Sequence, residues 1–164
     1  MKKIILGIFL LSFSISFAQK EIKVNIFDAL AFKTLTLSYE HYMTDQTSLG
    51  ASGLFNFEGE SSNFRYTEDQ MYTAFVRHYF STESLWNLFG ELFFGYNEGI
   101  SGINENNGTP LEYSDGALGL AVGYKYISSS GFTVDVHGGL GRNLFADDSP
   151  RIVPRLGINI GFQF

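Results

Sequence analysis

The sequence predicts an all-β fold: an eight-stranded, antiparallel, up-and-down transmembrane β-barrel. Three observations carry this expectation. Apolar and polar residues alternate with period two in eight separate segments. The connections between the segments alternate short and long. The face opposite the apolar one is crowded with glycine and carries charges of both signs. Period two places successive side chains on opposite sides of an extended chain, whereas a helix would scatter the same residues around its axis.

The chain opens with a segment that does not belong to the fold. Lys2 and Lys3 precede an apolar run from Ile4 to Phe17, and Ser16-Phe17-Ala18 sets small residues at −3 and −1 before Gln19. This is the pattern of a cleaved signal peptide, so residues 1–18 are assigned to export and residues 19–164 to one barrel domain. No cysteine follows the run, which argues against a lipid anchor. Cysteine is absent altogether, so no disulfide supports the fold. No later apolar stretch reaches the roughly 18 residues a spanning helix requires. Without Lys2 and Lys3 the chain keeps nine basic residues against 17 acidic ones. That balance argues against nucleic acid as a partner, because phosphates need a basic footprint.

The segments follow in order. The first runs from Ile22 to about Ala29, with Ile22, Val24 and Ile26 opposite Lys23 and Asn25. Its connection to the second segment is short. The second, 34–42, sets Leu35, Leu37 and Tyr39 against Thr36, Ser38 and Glu40. The third, 48–57, sets Leu49, Ala51, Phe55 and Phe57 against Ser48, Gly50, Ser52 and Asn56. In the fourth, 70–80, Tyr72, Ala74, Val76 and Phe80 oppose Thr73, Arg77 and Tyr79. In the fifth, 88–97, Leu92, Phe94 and Tyr96 oppose Glu91, Phe93 and Gly95. The sixth, 116–127, sets Leu118, Leu120, Val122, Tyr124 and Tyr126 against Ala117, Gly119, Ala121, Gly123 and Lys125. The seventh, 132–142, sets Phe132, Val134, Val136 and Leu140 against Thr133, Asp135, His137, Gly139 and Gly141. The last ten residues alternate without a break, with Leu156, Ile158, Ile160, Phe162 and Phe164 on one face. Tilted strands of about ten residues cross a bilayer.

Tight turns are expected at 44–46 and 128–131, with a slightly longer one at 81–87. The longer, polar connections are 58–69, 97–115 and 143–150, and this asymmetry is that of a membrane barrel. Pro110 and Pro150 are placed in long loops, and Pro154 at the rim of the last strand, where a missing N–H is tolerable.

Three features turn the apolar face toward lipid. The opposite face holds Gly50, Gly95, Gly119, Gly123, Gly139, Gly141, Gly157 and Gly161, which suits a narrow lumen. It also holds Lys23, Glu40, Arg77, Glu91, Lys125, Asp135 and Arg155 in mid-strand. Aromatics gather near the strand ends: Tyr39, Phe80, Trp86, Tyr124, Tyr126, Phe132, Phe162 and Phe164 in one group, and Phe55, Phe57, Tyr72, Tyr96 and Tyr113 in the other. Interfacial girdles have this distribution. A soluble, lipocalin-like lipid carrier is the competing reading and requires the inverse, with a greasy interior and charges outside.

The closing strand, ending on Phe164, resembles the last strand of bacterial outer-membrane barrels. The resemblance implies recognition of that strand by the barrel-assembly machinery. Val24-Asn25, Ser38-Tyr39-Glu40-His41-Tyr42, Thr47-Ser48-Leu49-Gly50 and Arg77-His78-Tyr79-Phe80 resemble a family of small barrels of the OmpA/OmpX type. That resemblance implies the bacterial outer membrane, contact with lipopolysaccharide, and no known activity.

The candidates for chemistry are few. Arg77 and Glu91 face the same side of consecutive strands, as do Lys125 and Asp135. A balanced set of inward charges reads as a structural plug rather than an ion path, since eight strands leave room only for side chains. A lipid A-modifying enzyme is the rival and requires an interfacial Ser–His pair with an orienting acid. His41 and His78 point outward near the membrane boundary. His137 is followed by Gly138-Gly139, with no serine beside it. No catalytic, cofactor or metal residue is therefore assigned. Asn104-Glu105-Asn106-Asn107-Gly108 lacks the spacing of a calcium loop. The acidic loop residues Glu58, Glu60, Glu68, Asp69, Glu98, Glu105, Glu112, Asp115, Asp147 and Asp148 remain as a group. They suit solvated tips, cation bridging to lipopolysaccharide, or docking of a surface protein partner. The expected role is envelope structure or surface interaction.

Overall fold

The computed structural model describes residues 19–57, 68–81, 85–103, 109–146 and 149–164. The expected signal peptide, Glu58, Glu60, the whole 104–108 stretch with Glu105, Asp147 and Asp148 lie outside them.

Eight strands follow one another around a closed barrel, each antiparallel to its neighbours: β1 (Lys20–Asn25), β2 (Thr34–Thr44), β3 (Thr47–Asn56), β4 (Glu68–Tyr79), β5 (Trp86–Ile103), β6 (Pro110–Ile127), β7 (Phe132–Asn143) and β8 (Ile152–Gln163). The barrel closes where β1 meets β8, from Glu21↔Gln163 to Asn25↔Asn159. Phe164 adds a reciprocal backbone pair with Lys20, at 2.8 and 3.0 Å. The chain end therefore completes the seam. At the β6–β7 turn, Gly131 has φ +88°, a left-handed conformation glycine adopts without the steric cost a Cβ brings.

The alternation holds on every strand. Leu92, Leu120, Val122, Val136 and Leu140 are exposed on the outer surface, while Lys23, Arg77, Lys125, Glu40 and Asp135 are buried inside. A polar interior within an apolar exterior belongs in a bilayer. The outer belt ends in aromatics. On the side of the short turns, Trp86 and Tyr126 are cross-strand partners with ring centroids 5.4 Å apart. Toward the long loops Tyr72 pairs with Tyr96. Their hydroxyls donate to Gln70 at 3.1 Å and to Glu98 at 2.8 Å, so the phenols turn from the apolar belt toward polar groups. Tyr113 departs from the expected girdle: it is inward-facing and buried, because it shares the parity of Asp115 and Ala117. Pro110 also differs from expectation, as the first residue of β6 rather than a loop residue. Both differences arise because β5 and β6 continue past the tyrosine belt as a ribbon.

The first strand is shorter than its sequence pattern. After Asn25 the chain forms a short helix, α1 (Ile26–Phe32), before β2. Glu21, Lys23 and Asn25 face inward, so an uninterrupted strand would carry Asp28 onto the lipid face, where a carboxylate is destabilising. The helical turn instead buries Asp28 and leaves Leu30 85% exposed. Asn25 is the N-cap: its side-chain oxygen accepts from the N–H groups of Phe27 at 3.1 Å and Asp28 at 3.3 Å. The same side chain accepts from Ile158 N–H and donates to the Leu156 carbonyl, both at 3.2 Å. It thus continues the β8 ladder where β1 has ended. By parity, the next position on that edge is Pro154, whose missing N–H faces the place where no strand continues.

Candidate functional site

The lumen is filled by ion pairs that cross it rather than run along one strand. Nearest the short turns, Glu21 accepts from the Thr133 hydroxyl at 2.5 Å, from Tyr42 at 3.2 Å and from the Lys125 ammonium. Lys125 also donates to Tyr42 at 2.6 Å, Tyr79 at 3.1 Å and Glu40 at 3.2 Å. Glu40 is the hub. It receives Lys23 and Ser48 at 2.5 Å, Tyr79 at 2.6 Å and Arg77 at 3.3 Å. Asp135 accepts from Lys23 at 3.1 Å, Arg77 at 3.0 Å and Asn159 at 2.6 Å. Glu91 then joins Arg77 at 2.6 Å to Arg155 at 2.5 Å.

Rings pack against the cations. The Arg77 guanidinium lies 4.2 Å from the Phe89 centroid and Arg155 lies 5.1 Å from that of Phe93, within the range of cation–π attraction. Gly119 and Gly141, cross-strand partners, give the Phe93 ring its room. Four acids (Glu21, Glu40, Glu91, Asp135) meet four bases (Lys23, Arg77, Lys125, Arg155). Buried ions of this kind persist only when each is paired and its remaining hydrogen-bonding capacity is met. Here the net charge is zero and the donors are distributed over all four carboxylates.

All seven inward charges expected from the sequence are therefore in the lumen, and the Arg77–Glu91 pair is formed. Lys125 and Asp135 are cross-strand partners in register but turn to others, Lys125 to Glu21 and Asp135 to Lys23 and Arg77. Glu21, one residue before the segment recognised in the sequence, was missed, although its parity with Lys23 marks it as inward. Tyr42 and Tyr79 were also given no role, yet their phenols bridge the acids and Lys125.

Above this network, near α1, lies a small polar cavity of about 30 Å³, bordered by Asn25, Asp28, Thr36, His137 and Arg155 among others. This is room for about two waters, not for a continuous channel. Nearer the long loops, Asn97 donates to Asn143 at 2.9 Å. Asp115 ties down the segment after β7: it accepts from Ser149 at 2.5 Å, Phe145 N–H at 2.9 Å and Ala146 N–H at 3.0 Å. Burial pushes its carboxyl up, but the Ser149 hydroxyl and the N–H groups of Ala146, Phe145 and Gly116 outweigh that and hold it below the ordinary aspartate value. Burial raises Glu68 instead. On the outer face of the ribbon, Asp69, Glu98 and Glu112 border an open hollow of about 440 Å³.

The histidines are dispersed. His78 is exposed on the outer face, with its Nδ1 3.5 Å from Thr47 Oγ1, and His41 is half-buried. His137 lies inside, its Nδ1 3.1 Å from Asp135 and 3.3 Å from Asn159. Among the described residues no group of three or more metal-ligating side chains converges.

No protein-family model matches the chain, and neither does the sequence of any curated protein. Solved structures do match in fold. The N-terminal β-barrel domain of Pseudomonas aeruginosa OprF aligns with TM-score 0.64 at 13% identity, over 90% of this chain and 96% of that one. Ail, the attachment invasion locus protein of Yersinia pestis, aligns with TM-score 0.54 at 14% identity, over 90% and 99%. Neisserial surface protein A aligns with TM-score 0.51 at 12% identity, over 89% and 92%. With its lipid-facing belt and charged, filled lumen, the chain has the fold of the small eight-stranded outer-membrane barrels.

Proposed function

We propose that this protein is a non-catalytic resident of the bacterial outer membrane whose lumen is a structural plug and whose working surface is the acidic ribbon of β5 and β6. The observation that carries this is the placement of Asp69, Glu98 and Glu112 around one hollow just beyond the Tyr72–Tyr96 belt. Carboxylates gathered there from β4, β5 and β6 favour a cationic partner by electrostatic complementarity. Ail has been captured with the heparin analogue sucrose octasulfate, a polyanion; the rim described here is itself negative, the same sign as that ligand, so a polycation is the partner class it fits. The ordered Phe164 seam supports the closing strand as the element handled by the assembly machinery.

The test is binding to the barrel in phosphatidylcholine nanodiscs, a zwitterionic support. Poly-lysine is expected to bind, to weaken with salt, and to bind less to the E98Q/E112Q variant, while sucrose octasulfate does not bind. Preference for sucrose octasulfate, or poly-lysine binding that ignores both substitutions, contradicts this reading. The enzyme alternative is tested separately: lipid A from expressing and non-expressing cells is expected to have the same mass spectrum, and a change in acylation would make the barrel an enzyme.

A further inference from the structure

We infer that the cavity beneath α1 is a proton-binding site and that Asp28 carries the proton. The argument begins with charge. Below the mouth of the barrel the four acids and four bases of the central network cancel, and all but Arg155, which is slightly exposed, are essentially buried. Asp28 is a fifth carboxyl, 3% exposed, and it faces this neutral cluster with no base hydrogen-bonded to it; Arg155, which borders the same cavity, is bound to Glu91. An ionised carboxylate in such a place requires compensation.

The local geometry says where the compensation goes. Asp28 Oδ2 is fully used, accepting from Asn25 Nδ2 and Thr36 Oγ1, both at 2.7 Å. Asp28 Oδ1 is buried and has no hydrogen-bond partner. It belongs to the residue that borders the 30 Å³ cavity. A protonated carboxyl has one O–H to donate, and water in the cavity accepts it. The proton is taken from hydronium in bulk solvent, relayed by that water, and is given back to solvent as pH rises, so no hydroxide is left in the lumen.

The elements around Asp28 leave one other place for the proton. β1 and β2 contribute Asn25 and Thr36, which are uncharged. β4 contributes Arg77 and β8 contributes Arg155, both permanently charged and engaged with acids of the network. β7 contributes His137, whose Nδ1 contacts Asp135. The cavity thus offers a proton two seats, Asp28 and His137. Asp28 is the seat with a vacant buried oxygen; His137 Nδ1 already has Asp135 and Asn159 within reach.

Infrared spectroscopy of the barrel in lipid vesicles separates them. In the wild-type-minus-D28N difference spectrum, where the Glu68 carboxyl, which burial raises, cancels, the carbonyl stretch of a protonated, buried carboxyl is expected near neutral pH and is expected to fade as pH rises. H137Q is expected to keep the band. Asn retains an oxygen for Asn25 and Thr36, and unboiled gel migration verifies that both variants are folded barrels. A wild-type-minus-D28N difference spectrum without the band, or a band lost in H137Q but not in D28N, would overturn the assignment.

Discussion

Replacing Arg77 by Met removes one cation from the centre of the lumen while preserving most of its bulk. Arg77 is 1% exposed and donates to Glu91 at 2.6 Å, Asp135 at 3.0 Å and Glu40 at 3.3 Å. After substitution four carboxylates face three bases. Glu91 keeps only Arg155, and the ring of Phe89 loses the guanidinium 4.2 Å from its centre. Removing one partner from a buried ion pair costs about 3–5 kcal/mol, because the remaining charge is left uncompensated. Against a typical total of about 5–15 kcal/mol, this is a large fraction. Urea unfolding of the barrel in phospholipid vesicles reads the loss, with Trp86, the single tryptophan, reporting from the lipid-facing rim. The R77M/E91Q double variant restores the balance of charge and is expected to be more stable than the sum of its single changes by about 1 kcal/mol or more. A cost for R77M below about 1 kcal/mol, with additive behaviour in the double variant, would refute the view that these ions form one coupled plug.

Other consequences follow from the same geometry. Asn25→Ala removes the α1 cap and both side-chain bonds to β8, and is expected to cost about 1–2 kcal/mol, with faster hydrogen exchange at Phe27, Asp28 and Ile158 as the local signature. Gly119→Ala sets a Cβ 2.5 Å from the Gly141 Cα and 2.6 Å from the Leu140 oxygen, so about 1–3 kcal/mol of overpacking is expected. Gly95→Ala meets mainly the flexible end of Met71 and is expected to be close to neutral; equal unfolding midpoints for the two would contradict the packing described. Asp115 has a carboxyl held below its unfolded value, so its contribution is present above the unfolded value and is lost as pH falls through the folded one. Exchange protection of Phe145 and Ala146 is expected to fall with acid in the wild type, and to show no such acid step in D115A.

The sequence made most of the barrel legible because parity is a strong constraint. Once Glu40, Arg77 and Asp135 are inward, every second residue of their strands is inward too. The partners of those ions were not legible. Lys23 and Asp135 are 112 residues apart, and their meeting depends on barrel closure and on how far each side chain reaches across the lumen. The end of β1 was misread because Ile22, Val24 and Ile26 alternate up to the point where the helix begins. The corrective signal was present: Asn25 followed by Asp28 is an N-terminal capping pattern, and continued parity would have put Asp28 in lipid. The extension of β5 and β6 was hidden for another reason. Beyond the tyrosine belt both faces of the ribbon leave the lipid, so residues such as Glu98 and Glu112 carry no apolar alternation to mark a strand.

Planar-bilayer recording of the purified, folded barrel tests the central claim most directly. A lumen closed by the Glu40–Arg77–Asp135–Lys125 network is expected to give no steady conductance in the wild type. Stable, large conductance steps from wild-type protein would contradict the plug and turn the lumen from a structural core into a path.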